Sequence, residues 1–183
     1  STLEIDGVII EYNNRIILQN VYLKLDVGNV VAILGRNGTG KTTLFNVISG
    51  LSHENSGSVR LNTKFVKPKN RYKHVKILPQ YHFIPSLLTV KQVLKDYRIE
   101  ITELVNQFPL FNNKISQRII KLSGGEKRLL EVFIILYSKG EFCILDEPFN
   151  FLSPKHISKV KACIREQSFN KGILIADHHT DHV

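Results

Sequence analysis

The sequence predicts an α/β fold with a mainly parallel core sheet, an antiparallel β flank near the start of the chain and a helical insertion. Short apolar runs at residues 30–34, 142–145 and 172–176 are typical of strands buried on both faces of a parallel sheet. Helical patterns follow the first two of these runs, as they do in a βαβ arrangement. We expect residues 1–183 to form a single domain of ordinary size.

The first half of the chain carries the strand signals. Residues 3–12 and 15–25 alternate apolar and polar side chains around Asn13-Asn14, which predicts a β-hairpin. Residues 30–34 predict a buried strand, and residues 41–49 predict a helix that ends at Gly50. Two further strands are expected at 57–61 and 73–78, joined by a basic loop.

Helical patterns dominate residues 85–138, where we expect the insertion. Thr89 and Gln92 form a capping box, residues 101–108 show helical spacing, and a long helix is expected from Ser123 to about residue 138. A βαβ pattern then returns: a strand at 142–145, a helix from Ser153-Pro154 to about residue 167, and a strand at 172–176.

The charge is unevenly distributed along the chain. The net charge is +9, and no Asp or Glu occurs between Asn55 and Lys95. We expect a solvated basic face there, with an anionic headgroup surface, nucleic acid or an acidic partner as alternative ligands. The basic residues of this segment are Arg60, Lys64, Lys67, Lys69, Arg71, Lys73, Lys76, Lys91 and Lys95.

Composition also suggests a compartment. Cys143 and Cys163 lie in apolar or helical settings without metal-ligand spacing, as buried thiols in a reducing compartment do. The start of the chain lacks the basic and apolar regions of a secretory signal, and no apolar run approaches the roughly 18 residues of a membrane span. We therefore expect a cytoplasmic protein.

A glycine-rich loop predicts a nucleoside triphosphate site. Residues 35–43, G-R-N-G-T-G-K-T-T, match G-x-x-x-x-G-K-[ST] between a strand and a helix, as the motif requires. Its glycines let backbone N–H groups point at phosphate oxygens, Lys41 adds a mobile charge, Thr42 is placed to ligate Mg²⁺, and Thr43 packs or caps. The predicted nucleotide-binding residues are Gly35, Asn37, Gly38, Thr39, Gly40, Lys41, Thr42 and Thr43.

Two acidic residues follow the buried strand at 142–145. A carboxylate at the end of a strand in the same sheet can hold Mg²⁺ opposite the loop, and Asp146 meets that demand. Glu147 can face an attacking water and act as general base or water-orienting group. The alternative is that the pair merely closes a strand before Pro148.

The segment L-S-G-G-E at 122–126 is the discriminating motif. Ser123 and Glu126 alone would form an ordinary capping box. Capping does not require Gly124 and Gly125, however. Two glycines and a serine at a helix N-terminus expose N–H groups that can bind a phosphate.

Together these motifs resemble the nucleotide-binding ATPase subunit of an ABC transporter. The loop, the L-S-G-G-E signature and Asp146-Glu147 occur in the family's order, and the match runs from Tyr12 to His179. The resemblance implies a P-loop NTPase of the ABC ATPase type, with ATP and Mg²⁺ as cofactors. It also implies a homodimer in which Ser123, Gly124, Gly125 and Glu126 complete the ATP site of a second copy. A separate permease would couple it indirectly to the inner face of the cell membrane.

The same resemblance implies three further roles. Tyr12 would stack on adenine; its alternative is a surface tyrosine of the hairpin. Gln80 would sense Mg²⁺ and the γ-phosphate and communicate with the membrane partner. His178 would contact the γ-phosphate and order the catalytic glutamate Glu147, with His179 as the competing candidate.

The chain departs from the family pattern in three places. Glu126 stands where glutamine is commoner, and Ser153 stands where the loop before the next helix usually ends in aspartate. Serine still caps that helix but supplies no carboxylate at the dimer seam. The sequence stops five residues after His178, so we expect a short or truncated cassette.

Two rival functions share parts of the pattern. A nucleic-acid-associated ABC ATPase would use the basic segment, but such proteins carry a large insertion or a second cassette. Here Lys41 and Ser123 are 82 residues apart in one cassette, which favours transport over a function with nucleic acid as partner. A small-molecule kinase would fit the length but not the signature.

Overall fold

The computed structural model describes residues 1–35 and 38–177 and contains two β-sheets with helices packed against them. The strands are β1 (Thr2–Tyr12), β2 (Arg15–Asp26), β3 (Val30–Leu34), β4 (Ser56–Leu61), β5 (Lys64–Phe65), β6 (Val75–Leu78), β7 (Phe142–Asp146) and β8 (Gly172–Asp177). The helices are α1 (Lys41–Ser49), α2 (Pro68–Arg71), α3 (Val90–Tyr97), α4 (Ile101–Gln107), α5 (Gly124–Tyr137) and α6 (Pro154–Ser168), with 3₁₀ turns at Pro109–Phe111 and Ile119–Lys121.

The first sheet is antiparallel and has the strand order β2-β1-β4-β5. Its β1–β2 hairpin turns at Asn13 and Asn14, whose φ angles of 50° and 59° lie in the left-handed region. Asparagine tolerates that conformation better than most residues, which is why an Asn-Asn pair suits a two-residue hairpin. The predicted hairpin and antiparallel flank are confirmed.

The second sheet is parallel and has the order β3-β8-β7-β6. Parallel strands bring their carboxyl ends to one edge of a sheet, where open α/β folds bind their ligands. The glycine-rich loop leaves the end of β3 and the Asp146-Glu147 pair closes β7 at this edge. Strand β8 lies between them, so the loop and the carboxylates face each other across one strand.

The prediction that residues 30–34 are buried on both faces is wrong, although the strand itself is present. Val30 and Leu34 are 44% and 55% exposed, because β3 is the edge strand of the described parallel sheet and pairs there with β8. The central strands β7 and β8 are buried throughout, as their apolar runs predict.

Helix α1 is held between the two sheets. Its buried residues Phe45, Val47 and Ile48 share a core with the inward side chains of β1 and with Ile144 and Leu174 of the parallel sheet. A second core joins the other face of the parallel sheet to α3, α4, α5 and α6. Helices α3 to α5 lie within residues 85–138, where the helical insertion is expected. The helix that starts from the glycine-rich loop cannot shift without disturbing both sheets.

The segment between β4 and β6 differs from the expected basic loop. It contains β5 and the one-turn helix α2, and Arg71 is only 1% exposed. The Arg71 guanidinium donates hydrogen bonds to the Glu54 carboxylate and to the carbonyl oxygens of Val66 and Val47. Arg71 therefore does not contribute to the basic surface, whereas Lys64, Lys67, Lys69 and Lys73 are exposed.

Three predicted helix starts are confirmed. Thr89 and Ser123 each form a capping box, with Gln92 and Glu126 respectively, and the Ser153 hydroxyl accepts from the backbone N–H of His156. Cys143 and Cys163 are buried free thiols. Across residues 1–35 and 38–177, none of the helices has the length and apolar character that a bilayer crossing requires.

Candidate functional site

The fold gathers the sequence-distant candidate residues around one cavity of about 300 Å³ at the carboxyl edge of the parallel sheet. The phosphate-loop side of the cavity is lined by residues 38–43. Gln80, Asp146 and Glu147 also line the cavity, as does Ile17 of β2. Sequence reasoning missed Ile17, because an exposed apolar residue in a hairpin carries no motif.

The backbone of the loop has the conformation that its glycines permit. Gly38 and Gly40 have φ angles of 82° and 88°, and a β-carbon on Gly40 would lie 2.8 Å from Cδ2 of Leu18. Gly40 also precedes α1, whose N-terminus has no side-chain cap and no acidic residue in its first turn. The positive end of the helix therefore faces the cavity, where it favours an anion. Asn37 lies outside the described residues.

Lys41 places its ammonium group inside this cradle. Its Nζ donates a hydrogen bond of 2.5 Å to the carbonyl oxygen of Gly35. The Thr39 hydroxyl is close to the same glycine: a β-carbon on Gly35 would lie 3.3 Å from the Thr39 hydroxyl oxygen and 3.7 Å from Lys41 Nζ. The loop thus curls around its own lysine, and the charge lies among the residues that line the cavity.

Thr42 and Asp146 join the two halves of the site. The Thr42 hydroxyl donates a 2.9 Å hydrogen bond to Oδ2 of Asp146, across 104 positions of the chain. Burial raises the pKa of Asp146, which is 3% exposed, while the Thr42 hydrogen bond acts in the opposite direction. A hydroxyl and a carboxylate side by side are the hard oxygen ligands that Mg²⁺ prefers, so the donor set fits that ion.

Glu147 is oriented by two amides. It is 5% exposed, and its Oε2 accepts hydrogen bonds of 2.8 Å from Gln80 Nε2 and 2.6 Å from Asn150 Nδ2. Its φ angle of 50° is left-handed, so the chain turns sharply at the end of β7 and leaves this carboxylate at the cavity. Sequence reasoning missed the contact of Asn150; the signal was an amide three residues after the glutamate in a tight turn.

Tyr12 does not line this cavity in the described structure. It closes β1 opposite Arg15 and is 69% exposed, as a surface tyrosine of a hairpin would be. The aromatic ring is accessible to a ligand, so stacking on adenine stays a prediction. His178 and the competing His179 both lie outside the described residues, and their roles stay predictions as well.

The signature forms a separate surface at the start of α5. Ser123 Oγ accepts a hydrogen bond of 3.2 Å from the backbone N–H of Glu126. Glu126 Oε2 accepts one of 2.9 Å from the backbone N–H of Ser123. Burial raises the pKa of Glu126, but hydrogen bonds from Ser123 and Lys114 outweigh it and lower the pKa overall. Ser123 and Gly124 are exposed, and no signature residue is among those that line the phosphate-loop cavity of the described chain.

A glycine-rich loop between a parallel strand and a helix, facing a carboxylate pair at a nearby strand end, defines a P-loop nucleoside triphosphatase. The family model described as ABC transporter matches residues 18–150, which is most of the chain. The chain therefore belongs to the ABC transporter family, as its nucleotide-binding ATPase domain.

Individual relatives agree with this assignment. An ABC transporter ATP-binding protein of Rhizobium meliloti is 32% identical over 97% of this chain and 72% of its own length. The lipopolysaccharide export system ATP-binding protein LptB of Haemophilus influenzae is 29% identical over 98% of this chain and 81% of its own. A solved ATP-binding subunit of an ABC transporter, 24% identical, shares the fold with a TM-score of 0.87 over 97% of this chain and 80% of its own.

Proposed function

We propose that this ABC transporter ATP-binding subunit hydrolyses MgATP in the cavity between the phosphate loop and the end of β7. The observation that carries the proposal is the hydrogen bond between Thr42 and Asp146, which joins the loop to the carboxylates. It leaves Lys41, Gln80 and Glu147 around a single space that can receive a phosphate chain.

The phosphate loop would bind the β- and γ-phosphates. Backbone N–H groups of the loop and of the first turn of α1 supply donors, and Lys41 supplies a charge that can exchange its Gly35 contact for a phosphate oxygen. The side chains of Thr39 and Thr43 also line this space.

Thr42, Asp146 and Gln80 would hold Mg²⁺. The ion would neutralise charge on the β- and γ-phosphate oxygens. Asp146 is buried, so its carboxylate oxygens are kept away from bulk water. In bulk water they would compete poorly with the water molecules that Mg²⁺ holds tightly.

Glu147 would act as general base toward the attacking water. The amides of Gln80 and Asn150 both donate hydrogen bonds to its Oε2, which fixes the direction of the carboxylate. A base held in this way loses little orientation entropy in the transition state.

Two copies would act together, head to tail. In that arrangement the exposed Ser123 hydroxyl and the N–H groups of Gly124 and Gly125 of one copy complete the ATP site of the other. Relatives named after lipopolysaccharide export and branched-chain amino acid transport support a role with a separate membrane permease at the cytoplasmic face of the membrane. ATP would favour the closed pair and hydrolysis would release it.

A nucleic-acid-associated ATPase is the less favoured function. The relatives cited above carry names of transport systems, and the burial of Arg71 removes one cation from the basic segment on which that function would rely.

Glu147→Gln tests the proposal. Loss of the general base should slow ATP turnover by about 10²-fold or more and leave ATP binding intact. With MgATP the variant should also elute from a sizing column as a dimer. Glu141→Gln is the matched control, because Glu141 pairs with His74 at the other end of β7 and should keep wild-type turnover. Full turnover by Glu147→Gln would contradict the assignment.

A further inference from the structure

Arg128, on the second turn of α5, connects the two segments that carry Gln80 and Glu147. Its Nη1 donates a hydrogen bond of 2.8 Å to the carbonyl oxygen of Pro79. Its Nη2 donates hydrogen bonds of 2.6 Å and 2.7 Å to the carbonyl oxygens of Asp146 and Glu147. One planar guanidinium thus spans the residue before Gln80 and the turn that ends β7. A lysine ammonium has no comparable fork.

The cost of this arrangement argues for a purpose beyond stability. Arg128 is 0% exposed, and burial lowers its pKa against the opposing effect of Glu131. Within residues 1–35 and 38–177 its Nε has no hydrogen-bond partner. Buried ion pairs often stabilise a fold no better than apolar residues of similar volume, and an unpaired buried donor is unfavourable.

Glu131, on the next turn of the same helix, contacts both Arg128 and the segment that carries Gln80. It is 1% exposed and lies 3.6 Å from Arg128 Nη1. Its Oε1 accepts from the backbone N–H of Phe83 at 3.1 Å, and its Oε2 lies 3.0 Å from Nδ1 of His82. The segment 79–83 is therefore attached to α5 on both sides of Gln80.

We propose that Arg128 and Glu131 are a positioning pair that holds Gln80 and Glu147 in register, and this rests on the function proposed above. Neither side chain lines the phosphate-loop cavity of the described chain. They act on its backbone: Arg128 fixes the carbonyls of the carboxylate turn, and the pair fixes the flanks of Gln80. The 2.8 Å contact between Gln80 and Glu147 is the result.

The fold contains a matched control for this pair. Arg71 is likewise buried and forked: it donates to two backbone carbonyls and forms an ion pair with Glu54, and neither of these residues lines the cavity. Arg128→Lys and Arg71→Lys both keep a buried charge and both lose the fork. A purely structural role would give the two variants the same phenotype.

Steady-state kinetics separate the two roles. Arg128→Lys should lower kcat by about 10- to 100-fold, because small displacements of catalytic groups cost that much, with KM for ATP little changed. Arg71→Lys should lower the melting temperature and leave kcat near wild type. Equal kcat losses in the two variants, or an unchanged kcat in Arg128→Lys, would overturn the proposal.

A double variant tests whether the effect passes through Gln80. Gln80→Ala should lower kcat in the wild-type background and change it little further in the Arg128→Lys background, since the contact it removes is already displaced. Additive losses would show that Arg128 acts by some other route and would refute the positioning role.

Hydrogen exchange gives a readout that is independent of turnover. Peptides covering 79–83 and 146–150 should exchange faster in Arg128→Lys than in the wild type, but not in Arg71→Lys. Glu131→Gln should show the same faster exchange and replaces Arg128→Lys if that variant does not fold. Unchanged exchange in both segments would overturn the positioning role of Arg128 and Glu131. A wild-type protein without ATPase activity, with these exchange differences intact, would instead refute the function proposed for the cavity.

Discussion

The α-carbon of Gly125 faces the carbonyl oxygen of Phe151 so closely that a β-carbon on Gly125 would lie 2.8 Å from that oxygen. Phe151 is itself in the left-handed region, with φ of 65°, in the tight turn that follows Glu147. The second glycine of the signature is therefore required within one copy of the chain, by contact with the loop after the carboxylates. Among the residues that the structure describes, none other than its chain neighbours and its own helix backbone lies within 4 Å of such a β-carbon on Gly124.

We expect Gly125→Ala and Gly124→Ala to differ in stability. Gly125→Ala must displace a backbone carbonyl, so the free energy of unfolding should fall by about 1–3 kcal/mol. Gly124→Ala should leave it unchanged or raise it by up to about 1 kcal/mol, because alanine is the better helix former. Urea unfolding followed by circular dichroism measures both, and equal losses would contradict the close approach.

Lys41→Ala should weaken ATP binding strongly. A hydrogen bond to a charged group contributes about 1.5–3 kcal/mol, so the Kd for ATP should rise about 10- to 100-fold. Titration with a fluorescent ATP analogue measures this directly. Lys24→Ala, which removes an exposed lysine of β2, is the charge control. Equal affinities for the two variants would refute the phosphate-loop assignment.

The ion pair between Glu54 and Arg71 should make stability depend on pH. Burial acts to raise the pKa of Glu54, but the hydrogen bond and charge of Arg71 outweigh it and hold the pKa below its ordinary value of 4.5. A lowered pKa in the folded state adds stability that is present above the ordinary value and is lost as the pH falls through the folded one.

Glu54→Gln should consequently lower the free energy of unfolding by about 3–5 kcal/mol at pH 7, since it leaves Arg71 buried without its counter-charge. The difference from wild type should shrink as the pH falls below 4.5, where the Glu54 carboxylate is increasingly protonated. Urea titrations at both ends of this range measure it. A difference independent of pH would show that the ion pair does not control the effect.

Cys143 should be unreactive in the native protein. Burial raises the pKa of its thiol to about 11, against the smaller opposing effects of Lys171 and Lys76. At pH 8 roughly one thiol in a thousand would then be ionised. Labelling with a disulfide reagent should proceed only as fast as the protein unfolds, with guanidinium-denatured protein as the control. Native labelling at the denatured rate would contradict the burial.

Local patterns were sufficient for much of the fold and the site. The glycine-rich loop, the capping boxes at Thr89 and Ser123, and the buried run before Asp146 each depend on neighbours in the chain, and a sequence displays those neighbours directly. The expected burial of Val30 and the expected exposure of Arg71 were wrong because each depends on residues far away in the chain. The exposure of Val30 depends on which strand forms the edge of the parallel sheet, and the burial of Arg71 depends on its contact with Glu54.

The sequence by itself determined that a glycine-rich loop and a carboxylate pair would follow two strands of one parallel sheet, because backbone conformation and strand burial are local properties of residue type. Only the tertiary structure decided that Gln80 and Asn150 orient Glu147 and that Arg128 spans both segments. The contacts of Gln80 and Arg128 join residues far apart in the chain, and packing of α5 against the sheet sets their distances. The residue pattern within the segments that carry Gln80 and Glu147 does not indicate these contacts.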